Sequence, residues 1–325
     1  MRAVVLREPG PPEMLELREV PRPEPGPGDV RVRVASSGLN RADLAQRLGR
    51  YPAPPGWPAD ILGLEVAGAV DALGEGVAEL SEGDLVMGIL GGGGYAEYVV
   101  CPAATLVRVP AGMDAVTAGA IPEVFMTAYD AVFAQESLRP GETLLVHAVG
   151  SGVGTAALQL ALRAGARVIG TSRTPEKLAQ ARALGLQDGI VAGEDWPEHV
   201  LERTDGRGAD VILDLVGGAY LAGNQRAIAP RGRHIVVGVP AGREAPIDLR
   251  ALMGKRASIR GTVLRARSLE EKAALARAFE ADVLVGFETG ELKPVIDRVY
   301  PASEAAAAHR RMEENLNFGK ILLEW

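Results

Sequence analysis

Along the first 110 residues, hydrophobic and polar positions alternate over short runs: MRAVVL, DVRVRVASSGL, EVAGAVDAL, DLVMGIL, AEYVV and TLVRV. A period of two predicts strands, and the Gly and Pro clusters between the runs predict turns. PRPEPGPGDV is so rich in Pro and Gly that it reads as a surface connection. RADLAQRLG, just after Asn40, predicts a short helix. YPAPPGWP predicts an extended loop, because its prolines fit neither a helix interior nor a central strand. The pattern suggests a compact β-barrel-like domain rather than alternating βαβ units.

From about Asp114 the period changes. TAGAIPEVFMTAYDAVFAQ has helical spacing, with Pro122 near a helix start. Alternating units follow: TLLVHA with TAALQLALRAG, ARVIGTS with PEKLAQARALG, ADVILDLVGG with LAGNQRAIA, then RHIVVGV and SIRGTVL. Strand–helix alternation at this spacing predicts a doubly wound parallel sheet, so the fold class is α/β. SLEEKAALARAFEADVLVGFETG is mainly helical, and the tail from Lys293 gives strand, helix and strand. These last strands are expected to join the first domain. The reading is therefore a discontinuous β-rich domain over 1–120 and 288–325, and a dinucleotide-binding domain over 121–287.

Composition changes this picture in few places. At 325 residues the chain is too long for one ordinary core, which agrees with two domains. The apolar share of 47% and charged share of 24% are those of a globular protein in water. No apolar run is long enough to span a membrane, and that of MRAVVLREPG is too short for a signal peptide. Cys101 is the sole cysteine, which excludes an intramolecular disulfide and a cysteine-cluster metal site, and suits a reducing cytoplasm. Lying at a strand end before Pro102, it reads as a buried, inert thiol. A net charge of −7 argues against a nucleic-acid partner.

The candidate chemistry starts at TLLVHAVGSGVG, residues 143–154. Gly150, Ser151, Gly152, Val153 and Gly154 form a tight turn between a buried strand and a helix, a place where a phosphate meets backbone N–H groups and a positive helix end. The spacing G-x-G-x-G departs from G-x-G-x-x-G, so a plain glycine turn closing a strand–helix unit stays open. The second strand ends at Gly170, Thr171, Ser172 and Arg173, with Lys177 a turn later and no carboxylate at the strand end. Hydroxyls with an arginine fork suit a 2′-phosphate, so NADPH is favoured over NADH. The alternative is that Thr171 and Ser172 cap the next helix while Arg173 and Lys177 are solvated.

At this point SSGLNRADLAQRLGRYPAPPG, ILGLEVAG, GGGGYAEYV, GAIPEVFMTAYDAVF, SGVGTAALQLA, LDLVGG and NFGKILLE together resemble the medium-chain dehydrogenase/reductase superfamily. Within it the chain is most similar to the zinc-free quinone oxidoreductases, and most like their tumour-suppressor-inducible branch. The resemblance runs over nearly the whole length and is weakest between Gln187 and Thr204. It implies a Rossmann sheet, a GroES-like β-rich domain, a cleft between them as the site, and a homodimer formed through the cofactor domains. It implies that Asn40 and Tyr51 face the nicotinamide and the substrate, and that Thr127 meets the carboxamide. Gly152, Val153 and Gly154 would hold the pyrophosphate, and Val216, Gly238 and Val239 would line the cofactor. Thr262, Val263 and Leu264 would flank the nicotinamide, and Asn317 would close it. Tyr51 packing in its proline-rich loop, and Thr127 bonding its own preceding turn, are the open alternatives. Gly91 to Gly94 reads equally as a lid or a connecting loop.

Zinc dehydrogenases of this superfamily place a Cys where Asn40 stands and a His where Leu64 stands, and no four-cysteine lobe exists here. A catalytic zinc needs about three protein ligands, and His147, His199, His234 and His309 lie elsewhere, so no metal is expected. The expected activity is NADPH-dependent reduction of quinones or similar electron-poor conjugated carbonyl compounds. Reduction of an enone or enoyl thioester is the enzymatic alternative. A non-catalytic NADPH-binding protein is the alternative of another class.

Overall fold

The computed structural model describes residues 1–325 and divides into two units, residues 1–126 with 264–325, and residues 127–263. The first unit opens with β1 (Arg2–Leu6) and β2 (Leu15–Glu19), an antiparallel pair. There follow β3 (Asp29–Gly38), β4 (Glu65–Leu73), β5 (Leu85–Ile89), β6 (Tyr98–Pro102) and β7 (Leu106–Arg108). β3 is the hub. It pairs antiparallel with β4 along its length and with β6 through Asp29 to Arg33. Its alternation turns Val30, Val32 and Val34 inward, where they meet Val66, Val70, Val86 and Val99 in one buried cluster. Register shifts opposite β4 between Arg31 and Val32 and between Val34 and Ser36 are bulges that bend the strand. The short helix Arg41–Arg47 starts directly after β3, as its sequence predicts.

The second unit holds β8 (Thr143–Val146), β9 (Arg167–Ser172), β10 (Asp188–Val191), β11 (Ala209–Asp214), β12 (Ile228–Val236) and β13 (Ser258–Gly261). All pair in parallel, in the order β10-β9-β8-β11-β12-β13. The chain runs outward from β8 to β10, then resumes on the other side of β8 at β11. This reversal is the switch point of a doubly wound sheet, where loops at the carboxyl ends of β8 and β11 diverge and leave a crevice. Leu145, Ile169, Ile190 and Ile212 form its core with Trp196 and Val200 of the helix Trp196–Arg203. β10 and that helix occupy the stretch where the family resemblance is weakest. β12 starts at Ile228, so the helix read through LAGNQRAIA stops at Ala227. The helical run TAGAIPEVFMTAYDAVFAQ is three pieces: Ala115–Ala118, Pro122–Tyr129, and a π-helical turn Asp130–Gln135. Pro122 opens the middle piece, where a missing N–H costs nothing.

The tail supplies β14 (Ile296–Pro301) and β15 (Lys320–Glu324), and β15 pairs antiparallel with the end of β3. The chain returns to the first unit at residue 264, not 288, and leaves it inside the helix Pro122–Tyr129 rather than at 120. The helix Leu269–Asp282, patterned like the helices of a βαβ fold, buries Leu275, Ala276 and Phe279, and its Arg277 donates to Leu106 O in the β-rich unit. Helical spacing shows which face is apolar but not which sheet receives it. No helix is long and apolar enough to cross a membrane.

Candidate functional site

In the parallel-sheet unit the polar groups gather at the carboxyl ends of β8, β9 and β11. After β8 come His147 and Ala148, the latter in the left-handed region at φ 51°, then the glycine turn and the helix Gly152–Arg163. Ser151 is the helix N-cap, its Oγ accepting from Gly154 N at 3.1 Å. A Cβ on Gly154 would lie 2.5 Å from Ala148 O and 2.7 Å from Val149 O, so only glycine lets the helix sit this close to the strand end. Gly150 is buried, whereas Ser151, Gly152 and Val153 are partly exposed. The first turn of this helix is therefore open to an anion.

At the end of β9, Thr171 is buried and its hydroxyl bonds His147 Nδ1 at 2.9 Å. Ser172 is buried too, and its Oγ accepts from Thr174 N at 3.3 Å, a bond within the turn rather than a cap on the helix Pro175–Arg182, whose N-cap Thr174 has no side-chain cap bond. Arg173 is exposed and makes no hydrogen bond or ion pair, and Lys177 is half-buried. Beyond β11, Asp214 Oδ1 accepts from Val216 N and Gly217 N, both at 2.8 Å. Asp214 O accepts from Val237 N at 2.9 Å, which places Gly238 and the exposed Val239 beside the β11 loop. Thr262 Oγ1 receives Gln135 Nε2 at 2.7 Å and lies 3.5 Å from Asp130 Oδ2, so the π-helical turn grips the residue after β13. Val263 is exposed. Thr127 is buried, and its hydroxyl does not bond the turn before it.

A buried polar chain underlies this rim. His147 Nε2 meets Asn224 Oδ1 at 2.7 Å, and Asn224 Nδ2 donates to Asp214 Oδ2 at 3.0 Å. His234 Nε2 meets the same oxygen at 3.0 Å. Burial pushes His147 down to about 4, so it is neutral. Although burial opposes ionisation of Asp214, its bond with His234 and two backbone N–H groups hold its pKa below the usual value.

In the β-rich unit, Asn40 opens the helix Arg41–Arg47, and its backbone N–H donates to Asp43 Oδ2 at 2.7 Å. Its amide is committed inward: Nδ2 donates to Glu65 Oε1 at 2.8 Å, and Oδ1 accepts from Lys320 Nζ at 2.8 Å. Lys320 Nζ also donates to Glu65 Oε1 at 2.5 Å and to Leu39 O at 2.6 Å. The Lys320 and Glu65 side chains are 3% and 0% exposed. Glu65 Oε2 accepts from Glu123 N at 2.8 Å. Burial, with Glu65 next, pushes the Glu123 carboxyl up to about 8. Tyr51 is half-buried, and burial raises its phenol while the nearby Arg265 guanidinium opposes the rise. Asn317 is buried and donates from Nδ2 to Gly319 O at 2.8 Å. Leu264 is buried and lines a small apolar void with Ile89, Thr105, Met126 and Leu275.

Gly91 to Gly94 are buried, with Gly93 N and Gly94 N donating to Ile61 O and Gly63 O at 2.9 and 3.1 Å. They form a fixed connection rather than a lid. Cys101 is buried and its thiol is pushed up to about 12 by desolvation, which leaves it inert. His309 is buried against the Tyr95 hydroxyl, and His199 lies on the surface between Asp195 and Glu202. Sequence reasoning missed Glu65, Glu123, Arg265, Lys320 and the His147–Asn224–Asp214 chain. The scarcity of lysine and the place of Lys320 within NFGK were the available signal for one of them.

Residues 152–280 match the zinc-binding dehydrogenase family and residues 26–111 the alcohol dehydrogenase GroES-like domain. The chain is 35% identical over 317 residues to a quinone oxidoreductase of Pseudomonas aeruginosa, covering 97% of this chain and 96% of the relative. It is also 36% identical to pikromycin polyketide synthase component PikAII of Streptomyces venezuelae, over 93% of this chain but 8% of that protein. Among solved structures it resembles an NAD-dependent alcohol dehydrogenase (38% identity, TM-score 0.90, 100% of both chains). A mycobacterial protein complexed with NADPH (28%, TM-score 0.89, 100% of both) is similar as well. So is the CurK enoyl reductase (27%, TM-score 0.88, 99% and 98%). The doubly wound sheet, the β-rich unit and the near-full-length relatives agree, and the chain belongs to the quinone oxidoreductases of the medium-chain dehydrogenase/reductase superfamily.

Proposed function

We propose that the protein is an NADPH-dependent, zinc-independent reductase of quinones and related conjugated carbonyl compounds. The observation that carries this is the Lys320 ammonium held by Asn40 Oδ1 and Glu65 Oε1. A zinc ion does not fit these residues. Leu64 is apolar and 1% exposed, and a dication would have to displace the ammonium that Glu65 Oε1 already holds. Quinone reduction tolerates this, since the product is a stabilised phenolate-type oxygen that needs no Lewis acid.

The residues present do fit a dinucleotide. The open helix start at Gly152 and Val153 suits the pyrophosphate, and the unengaged, exposed Arg173 guanidinium suits a 2′-phosphate. NADPH supplies the hydride when bound. The chain supplies position and polarity. Thr127 keeps a free hydroxyl for the carboxamide, Thr262 is locked by Gln135, and Tyr51 offers its phenol to a substrate oxygen as that oxygen gains charge. Asn40, with its amide committed to Lys320 and Glu65, acts as a fixed wall rather than a proton carrier.

Similarity to the CurK enoyl reductase favours a second reading, reduction of an enone or enoyl thioester, which needs the same hydride geometry. A non-catalytic NADPH-binding protein is the third. We place the protein in a reducing cytoplasm, where a chain with one buried thiol needs no disulfide. A homodimer through β13 is also part of the proposal: β13 is an edge strand, and Leu249 and Met253 in the segment before it are 65% and 76% exposed.

The test is loss of NADPH absorbance with a quinone, an enone and an enoyl thioester, before and after exhaustive chelation. Quinone turnover that survives chelation is expected. Turnover that requires one tightly bound zinc per chain overturns the site assignment, and NADPH binding without turnover of any substrate selects the binding-protein reading.

A further inference from the structure

Arg265 is 4% exposed, and its guanidinium makes no ion pair. Its donors go to neutral acceptors on three separate segments. Nε and Nη2 donate to Gly91 O at 2.8 and 2.6 Å, Nη2 donates to Gln46 Oε1 at 2.6 Å, and Nη1 approaches Tyr51 O at 3.4 Å. The guanidinium carbon also lies 5.0 Å from the centre of the Tyr51 ring. Gly91 is held from another direction. A Cβ there would lie 2.4 Å from the Trp57 indole, so the indole packs directly on the Gly91 backbone.

A buried cation without a counter-ion is expensive to keep. Arg265 could fix carbonyls as a neutral amide would, yet it carries a charge that nothing adjacent neutralises. Glu123 and Asp43 act on it only through space, and Lys272, whose Nζ donates to Arg265 O at 2.8 Å, adds a second cation. The Tyr51 ring lies within reach of this charge, and the guanidinium acts on its phenol. A positive potential at a phenol stabilises its partly deprotonated form and makes it a stronger donor to an oxygen gaining negative charge.

We propose that Arg265 is a positioning residue for Tyr51. It fixes the Tyr51 loop against Gln46 and Gly91, and its unneutralised charge strengthens the phenol as a hydrogen-bond donor to the substrate. The inference rests on Tyr51 being the group that meets the substrate oxygen. It places the substrate class among acceptors whose oxygen becomes anionic on reduction.

The experiment measures kcat and KM of the NADPH-loaded enzyme with a quinone and an enone for Arg265→Met, Arg265→Lys, Tyr51→Phe and the Tyr51→Phe/Arg265→Met double variant. Arg265→Met should lower kcat about 10–100-fold while KM for NADPH stays within about threefold, the pattern of an interaction made in the transition state. Arg265→Lys should recover most of kcat because it keeps the charge, and the double variant should be no slower than Tyr51→Phe alone. If thermal melting shows Arg265→Met unfolded, Arg265→Gln takes its place. Lysine as poor as methionine, or losses that multiply in the double variant, would overturn the proposal. Wild-type rates in Tyr51→Phe alongside a slow Arg265→Met would instead sink the assignment of Tyr51, and with it the coupling.

Discussion

Replacing Arg173 by alanine removes a guanidinium that is exposed and makes no hydrogen bond or ion pair in the free protein. Folding stability should therefore change by no more than about 0.5 kcal/mol, and the whole effect should appear in cofactor binding. Hydrogen bonds from an arginine fork to a dianionic phosphate are worth about 1.5–3 kcal/mol, or roughly 10–150-fold in affinity. The site is open to solvent, so the lower part of that range applies near 0.15 M salt, roughly physiological, and the upper part at low ionic strength. NADH lacks the 2′-phosphate, and its affinity should stay within about twofold, a change of under 0.5 kcal/mol. The assay is titration of wild type and Arg173→Ala with each cofactor, by calorimetry or nicotinamide fluorescence, at two salt concentrations. An equal loss for both cofactors would mean that Arg173 supports the loop rather than the phosphate. No loss for NADPH at either salt would mean that the 2′-group lies elsewhere.

Tyr51→Phe should keep the fold and NADPH affinity but lower kcat/KM for quinones about 5–100-fold, the cost of a neutral hydrogen bond in a partly dry site. Unchanged rates for quinone and enone alike would leave Tyr51 as packing. Lys320→Met strands the Glu65 carboxylate, which is 0% exposed, and should cost about 3–5 kcal/mol in urea unfolding. Adding Glu65→Gln should recover much of it, and a double variant as unstable as the single one would refute the pairing. Glu123 is pushed up to about 8 by burial and then by Glu65. The folded state thus binds this proton more tightly than the unfolded chain, and stability falls as pH rises from the ordinary carboxyl value through about 8. Glu123→Gln should flatten that fall in urea midpoints across the same window, and an unchanged slope would assign it to other groups.

What the sequence made legible was whatever depends on neighbours along the chain. β4 and β5 lie within the runs EVAGAVDAL and DLVMGIL, because alternation and bounding glycines act locally. The strand–glycine–helix turn at 143–154 appears as read, with Gly154 barred from carrying a Cβ. Elements whose apolar face is short were not legible. β10 has four residues, of which Ile190 is the buried one, too few for any period to declare itself. The π-helical turn Asp130–Gln135 has ordinary helical residues, and its extra residue per turn is set by what Asp130 and Gln135 reach on Thr262. Return of the chain at 264 rather than 288 was hidden for the same reason: Phe279 is buried, but nothing in its spacing says against which sheet.

The candidate site was half legible, and the missing half is charged. The glycine turn and Arg173 were singled out by residue type and local spacing, and Tyr51 by the family resemblance. Glu65, Lys320 and Arg265 are types that pattern reading sends to the surface, since such side chains are rarely buried unless paired. Their burial here depends on partners far away in sequence. Lys320 lies 255 positions from Glu65, and Arg265 lies 174 from Gly91. The two cations are nevertheless not equivalent. Lys320 is neutralised by the carboxylate that it touches, so its charge is spent on holding Asn40 and Glu65 in place. Arg265 touches only neutral acceptors and keeps its field. On the proposed zinc-independent reading, a growing oxyanion would have to be stabilised by hydrogen-bond donors and fixed charge alone. Between Lys320 and Arg265, the one left without a carboxylate is the one beside the Tyr51 ring, and that difference exists only in the folded chain.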